Sequence, residues 1–226
     1  MIVLKNVTKT YNKGKKNEFT ALQNIDFTVE DGEFIAITGT SGAGKSTLLY
    51  VLSGIDTYES GSCKLDGVEL NGLSDGKLSE IRNKTIGFVM QDFALVEDFS
   101  VWENVMLPLQ FARLGGKKKK ELAREAIQRV DIEELTHKRV GELSGGQKQR
   151  TAIARAIVNH PSYLFADEPT GALDTNTSKE IMNLFERLNE AGQTILIVTH
   201  DPEVACRCRR RVQIEDGKIV SGGRSV

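Results

Sequence analysis

No apolar run in this sequence approaches the roughly 18 consecutive residues that a bilayer-spanning helix needs, and the opening Met1-Ile2-Val3-Leu4 gives way at once to Lys5 and Asn6. Such a chain is expected to be neither exported through a leader nor membrane-spanning, so any membrane role would be peripheral. Cysteine is scarce. Cys63, Cys206 and Cys208 are an odd set, and Cys206-Arg207-Cys208 lacks both the gap and the second pair that a metal site requires, which points to a reducing compartment. An excess of either charge is missing too: 30 basic residues face 31 acidic ones, for a formal charge of -1. That balance gives no support to nucleic acid as a partner. There is no internal repeat, and the single biased run is Gly115-Gly116 followed by Lys117 to Lys120.

What is present is ordinary globular material. With 226 residues, 39% hydrophobic and 27% charged, the chain fits one domain with its own core. The stretches Ile2 to Tyr11 and Thr20 to Val29 are β-branched and aromatic with polar positions between, as in half-buried strands, and a polar loop from Asn12 to Glu18 separates them. Glu33 to Thr38 reads as a short buried strand, followed by a Gly-rich turn and an apolar helix from Lys45 to Ser53 that Gly54 can end. Asp66-Gly67 and Asn71-Gly72 mark turns of a hairpin region, and Ile86 to Val89 is another short strand.

From Asp92 to about Asn159 the texture is helical: Val101 to Leu114, Glu121 to Val130, and a segment after Leu143 that holds Ala152, Ile153, Ala156 and Ile157. Strands return at Tyr163 to Ala166 and at Thr194 to Val198. The helix between them has a capping-box candidate in Thr177 and Glu180 and an apolar stripe at Ile181, Leu184, Phe185 and Leu188. A hairpin around Asp216-Gly217 is expected after Cys206 to Arg211. Alternating strands and helices imply a mainly parallel sheet.

The strongest pattern is Gly39-Thr40-Ser41-Gly42-Ala43-Gly44-Lys45-Ser46, with Thr47 next, a P-loop placed between a predicted strand and a predicted helix. Average glycine usage would produce the spelling alone in roughly one sequence in a hundred of this length, so the flanking strand and helix decide. Glycines let successive N–H groups turn inward around a β-phosphate, and the helix presents its positive end to the same anion. Lys45 would reach the β- and γ-phosphates of ATP, and the Ser46 hydroxyl is placed to ligate Mg²⁺. The fold class is therefore α/β: a P-loop NTPase core with a mainly parallel sheet, an antiparallel β subdomain and an inserted helical lobe. The nucleotide-binding core would take about residues 1–91 and 159–226, and the helical lobe about 92–158.

A second pattern is Tyr163-Leu164-Phe165-Ala166-Asp167-Glu168, an apolar strand ending in two acids. Like charges this close repel in a low-dielectric site, so a cation is expected beside them, and Mg²⁺ on a nucleotide is the natural one. Asp167 would orient that ion, and Glu168 lies where an attacking water would be polarised. Alone, the pattern equally describes an acidic turn; beside a P-loop it becomes specific.

Leu143-Ser144-Gly145-Gly146-Gln147 matches the signature motif of ATP-binding cassette (ABC) proteins, and with it the chain resembles that family over essentially its whole length. Physically the motif is another anion trap, since Ser144 can cap the helix that follows and leave two glycines at its positive end. The resemblance implies further roles in order along the chain. Tyr11 would stack on adenine, Gln91 would reach the metal or water, Asp174 in Ala172-Leu173-Asp174 would belong to the D-loop, and His200 would touch the γ-phosphate. On residue type alone, Tyr11 is better explained by core or edge packing, and His200 fits a turn residue before Asp201-Pro202.

The family also implies that Ser144 to Gln147 and Asp174 face the P-loop of a second copy of this chain, so that ATP is sandwiched in a homodimer. The closer likeness is to the ATPases of lipoprotein-release and macrolide-export type, through Ile86 to Gln91, Glu103 to Leu109 and Ala166 to Asp174. An integral membrane permease on a separate chain is the implied partner, with the ATPase peripheral on the cytoplasmic face of the membrane. The implied function is ATP hydrolysis that powers export of a peptide, antibiotic or lipoprotein; mechanical signalling through a membrane partner, without solute transport, is the alternative. The Lys117 to Lys120 run is open between a solvated helix start and contact with anionic lipid.

Overall fold

The computed structural model describes residues 1–222 and divides into two compact units. The first joins Met1–Arg82 to the residues from Thr194 onward, and the second is Asn83–Gln193.

In the first unit, β1 (Ile2–Tyr11), β2 (Phe19–Val29), β4 (Ser60–Leu65) and β5 (Val68–Glu69) make an antiparallel sheet in the order β2-β1-β4-β5. Ile2 and Leu4 of β1 point inward opposite Val29 and Phe27. An irregularity at Lys5-Asn6, with Asn6 left-handed at φ 50°, then shifts the inward phase to Val7 and Lys9. A bulge of this kind flips every later side chain of the strand to the other face.

A second sheet region in this unit centres on β3 (Phe34–Thr38), with β8 (Thr194–Val198) parallel on one side and β9 (Arg210–Glu215) parallel on the other. β10 (Lys218–Ser221) closes a hairpin on β9, as the Asp216-Gly217 turn predicts. β3 and β8 are buried on both faces, which is why both read as unbroken apolar runs rather than alternations. Helix α1 (Lys45–Leu52) packs on β2, β4 and β8 through Leu48, Leu49, Val51 and Leu52. Helix α2 (Asp75–Thr85), within which the division between units falls, was absent from the sequence reading. It buries no residue, so it has no apolar stripe to be seen.

The second unit pairs β6 (Ile86–Val89) in parallel with β7 (Tyr163–Asp167), Ile86 opposite Tyr163 and Val89 opposite Ala166. Helices α3 (Val101–Gln110), α4 (Gly116–Arg129), α5 (Gly145–Ile157) and α6 (Thr175–Glu190) follow, with short 3-10 turns at Glu133–Leu135 and Val140–Glu142, and α5 is in contact with α3, α4, α6 and β6. α4 starts earlier than its apolar residues suggest, because the lysine run is itself helical. α6 corrects an expectation: its cap is Asp174, not Thr177, since the Asp174 carboxylate accepts from the N–H groups of both Asn176 and Thr177. The short α7 (Pro202–Arg207), capped by Asp201, lies in the first unit.

Candidate nucleotide-binding site

In parallel sheets, ligand-binding loops gather at the carboxyl ends of the strands. In the first unit β3 runs straight into Gly39, and its neighbour β8 ends at Val198, opposite Ile37, with the exposed His200 two residues beyond. The Thr199 amide donates to the Ile37 carbonyl at 3.1 Å, tying the two strand ends together. The P-loop and His200 thus leave the sheet side by side.

The loop needs glycine for a steric reason. Gly44, at φ 103°, is the residue before α1, and a Cβ there would lie 2.3 Å from the Ala21 carbonyl oxygen. Any side chain would break either that contact or the loop. Thr40, Ser41 and Gly42 are exposed, Ala43 is buried beneath them, and Ser46 and Thr47 are half-buried in the first turn of α1. The Lys45 Nζ arches back over its own loop and donates to the carbonyls of Gly39 at 3.0 Å and Thr40 at 2.8 Å. A loop with no room for a Cβ at Gly39 or Gly44, and with an ammonium and a hydroxyl at its rim, has the chemistry of a phosphate and Mg²⁺ site. Tyr11, at the end of β1, is half-buried.

The second unit repeats the strand-end logic. β6 leads to Gln91 and its parallel partner β7 ends at Asp167, so both reach the same edge. A Cβ placed on Gly171 would lie 3.5 Å from the Gln91 Nε2 and 3.7 Å from the Glu168 Cβ, so these three residues meet. Glu168 is left-handed at φ 47°, an uncommon state for a residue of its size that concentrates at functional turns. Its carbonyl accepts from the Gly171 amide at 3.1 Å, which closes that turn.

Ser144 caps α5 as expected, and the capping box is complete: its Oγ accepts from the Gln147 amide and the Gln147 Oε1 accepts from the Ser144 amide. Ser144 and Gly145 are exposed at the positive end of this 13-residue helix. Gly146 is there for closeness, since a Cβ would come 2.5 Å from the Thr177 Cγ2. Thr177 in turn donates through its hydroxyl to Asp174 at 2.5 Å. That hydrogen bond, with the amides of the same turn, holds the exposed Asp174 carboxyl below its ordinary pKa. The signature segment and Asp174 are one packed cluster.

Two side chains that the sequence reading passed over shape the segment after Gln91. Arg155 of α5 donates to the carbonyls of Ala94 at 2.6 Å and Phe93 at 2.9 Å, and those two residues are both left-handed. The buried Asn104 of α3 accepts from the Val96 amide at 2.9 Å and donates to the Val96 carbonyl at 3.0 Å. The only sequence signals were a charged residue beside the apolar positions of α5 and a polar one inside α3.

A family model described as "ABC transporter" matches residues 22–171, a span that takes in the P-loop, the signature segment and the Asp167-Glu168 turn. The chain belongs to the ABC transporter family. This ABC protein is 46% identical to the ABC transporter ATP-binding protein YknY of Bacillus subtilis over 229 residues, all of this chain and 99% of that one. It is 40% identical to MacB of Neisseria gonorrhoeae, named as a macrolide export ATP-binding/permease protein, over 98% of this chain but only 34% of that one. It therefore spans about a third of the length of MacB. Among solved structures, a dimeric post-hydrolysis state of the ATP-binding cassette MJ0796 bound to ADP and Pi superposes with a TM-score of 0.89 at 40% identity, covering 99% of this chain and 98% of that one. MJ0796 is a protein of Methanocaldococcus jannaschii. The ABC protein described here is accordingly an ATPase with the α/β cassette fold. Among the described residues no helix is long and apolar enough to cross a membrane.

Proposed function

We propose that two copies of this ABC ATPase close head to tail around two ATP molecules with Mg²⁺, and that closing and reopening drive a separate integral membrane permease. The exported cargo would be an antimicrobial peptide, antibiotic or lipoprotein, and the cassette would sit on the cytoplasmic face of the membrane. The observation that carries this reading is the exposed tip of α5, where Ser144 caps and Gly145 begins a helix whose positive end faces outward. A second anion-binding helix end is redundant within one chain that already has a P-loop. It is useful if it completes the site of a twin. Support also comes from the dimeric, ADP- and Pi-bound state of MJ0796 and from the fusion of ATP-binding and permease functions in the name of MacB.

In this reading Tyr11 holds the base, Gly39 to Thr47 hold the phosphates, Lys45 neutralises them and Ser46 ligates Mg²⁺. Asp167 orients the ion, Gln91 reads metal or water, Glu168 polarises the attacking water and His200 meets the γ-phosphate. Ser144 to Gln147 and Asp174 serve the partner copy. The helical lobe, about residues 92–158, passes the motion to the permease. Size-exclusion chromatography with light scattering on a Glu168→Gln chain tests it: the mass should double with MgATP and stay monomeric with MgADP. A monomer at saturating MgATP would remove the sandwich. Co-purification of the chain with a polytopic membrane protein from detergent-solubilised membranes tests the permease.

A further inference from the structure

β1 buries an amine where its pattern calls for a hydrocarbon. Ile2, Leu4 and Val7 fill the inward positions, and Lys9 takes the next one at 6% exposure. Burying an ammonium costs more than burying a methyl group, and an apolar residue of similar volume would serve folding as well or better. The lysine is accommodated by specific partners. Its Nζ lies 2.8 Å from Asp56 Oδ1 and 4.8 Å from the centroid of the Tyr11 ring. The Tyr11 hydroxyl donates to the other carboxylate oxygen, Asp56 Oδ2, at 2.7 Å. The Thr57 amide also donates to Oδ1 at 2.8 Å and fixes the carboxylate.

The three side chains close a ring: ammonium over aromatic face, phenol on carboxylate, carboxylate on ammonium. The bulge at Lys5-Asn6 makes it possible. It sets the phase in which Val7 and Lys9 turn inward, and positions 9 and 11, two apart on a strand, share a face. Burial by itself would raise the Asp56 carboxyl, but the bonds from Lys9 and Tyr11 outweigh it and hold it below its ordinary value. Burial and then Asp56 push the Tyr11 phenol upward, against an opposing pull from Thr47 in the first turn of α1. At neutral pH the ring is therefore a neutral phenol donating to an ionised carboxylate.

A ring held at its hydroxyl end and covered on one face by a cation has one orientation and one face left to offer. The cation also withdraws density from the π-system, which weakens repulsion toward an electron-rich aromatic on the opposite side. We propose that Lys9 and Asp56 are positioning residues for nucleotide binding, clamping Tyr11 as a platform for the base of the nucleotide. The proposal rests on Tyr11 being the base-stacking residue and adds what orients it.

The test separates base from phosphate. Titration calorimetry on the full chain would use MgADP as the probe with a base and inorganic pyrophosphate as the probe without one. Lys9→Met and Asp56→Asn should each weaken ADP about three- to tenfold, the range of one aromatic or cation–π contact, and leave pyrophosphate within about twofold. In turnover the same change should appear in KM for ATP, with kcat at saturation within about twofold. On a Tyr11→Ala background, Asp56→Asn should add nothing. Equal losses for ADP and pyrophosphate, or additive losses on the Tyr11→Ala background, would overturn the clamp. Should Tyr11→Ala itself leave ADP affinity intact, Tyr11 is not the platform and the clamp falls with it. Weakening by Tyr11→Ala but by neither Lys9→Met nor Asp56→Asn would sink the clamp alone. Lys9→Met keeps the test open if Asp56→Asn folds poorly.

Discussion

Glu168 and the cysteines show how far a residue's surroundings set its chemistry. Glu168 follows a strand buried from Tyr163 to Ala166 and turns left-handed at φ 47°, a conformation held by its place beside Gly171 and Gln91 rather than by its own preference. Glu168→Gln keeps size and hydrogen bonding and loses basicity. It should bind MgATP with wild-type affinity while phosphate release falls at least about 100-fold, the usual worth of a general base; release near the wild-type rate would take Glu168 out of the chemistry. The thiols diverge for a different reason. Cys63 is buried on β4 and its pKa is pushed up to about 12, by burial first and then by Glu69. Cys208 is also buried, whereas Cys206 is exposed beside the Arg211 guanidinium at 3.2 Å. Native iodoacetamide labelling at pH 8 followed by peptide mass spectrometry should modify Cys206 alone, and modification of Cys63 without denaturant would show that β4 opens. At this scale the sequence was most legible where chemistry demands an unusual backbone. Gly44 and Gly146 cannot be anything larger, so their spacing is a readable record of the loop and the helix tip. Lys9, Asp56 and Arg155 left no such record, because each acts on a residue 45 to 62 positions away.

Elements were legible in proportion to the apolar surface they bury. β3, β7 and β8 are buried almost throughout and α1 carries an apolar stripe, so each appears in the sequence within a residue or two of its place, and the stripe of α6 shows the helix though not its start. α2 buries nothing and left only Ser74, whose hydroxyl accepts from the Lys77 amide, as a weak start signal. The start of α6 went astray because Thr177 and Asp174 are both good caps, and only the structure shows the carboxylate reaching two amides. α5 contains a cost with no local return. Gln149 is fully buried, and neither its Nε2 nor its Oε1 has a hydrogen-bond partner. Desolvating an amide without partners costs roughly 1–3 kcal/mol, and an apolar residue of the same shape removes that cost. Gln149→Met should therefore raise Tm in differential scanning calorimetry. A lower Tm would mean that the amide is satisfied in solution by an internal water.

For the molecule as a whole, the decisive question is which P-loop each signature tip serves. A two-fold pair places the same patch of each chain against the other, so a head-to-tail arrangement builds two identical composite sites. Each takes a P-loop from one copy and a helix tip from its twin. Lys45→Ala would remove the charge proposed to neutralise the phosphates. Gly145→Asp puts a carboxylate where an anion would sit, at an exposed position whose nearest neighbour is the flexible end of Leu173, 3.2 Å from a new Cβ. Homodimers of either variant have two damaged sites. A mixed dimer gathers both lesions into one site and leaves the other intact. Equal mixing makes about half the dimers mixed, each with one working site of two, so ATPase activity should return to about a quarter of wild type if the sites act independently. Were each chain to use its own helix tip, every site in every mixture would keep one lesion and no activity would return. Phosphate release measured across mixing ratios, peaking at equal amounts, distinguishes the two arrangements without any knowledge of cargo or permease.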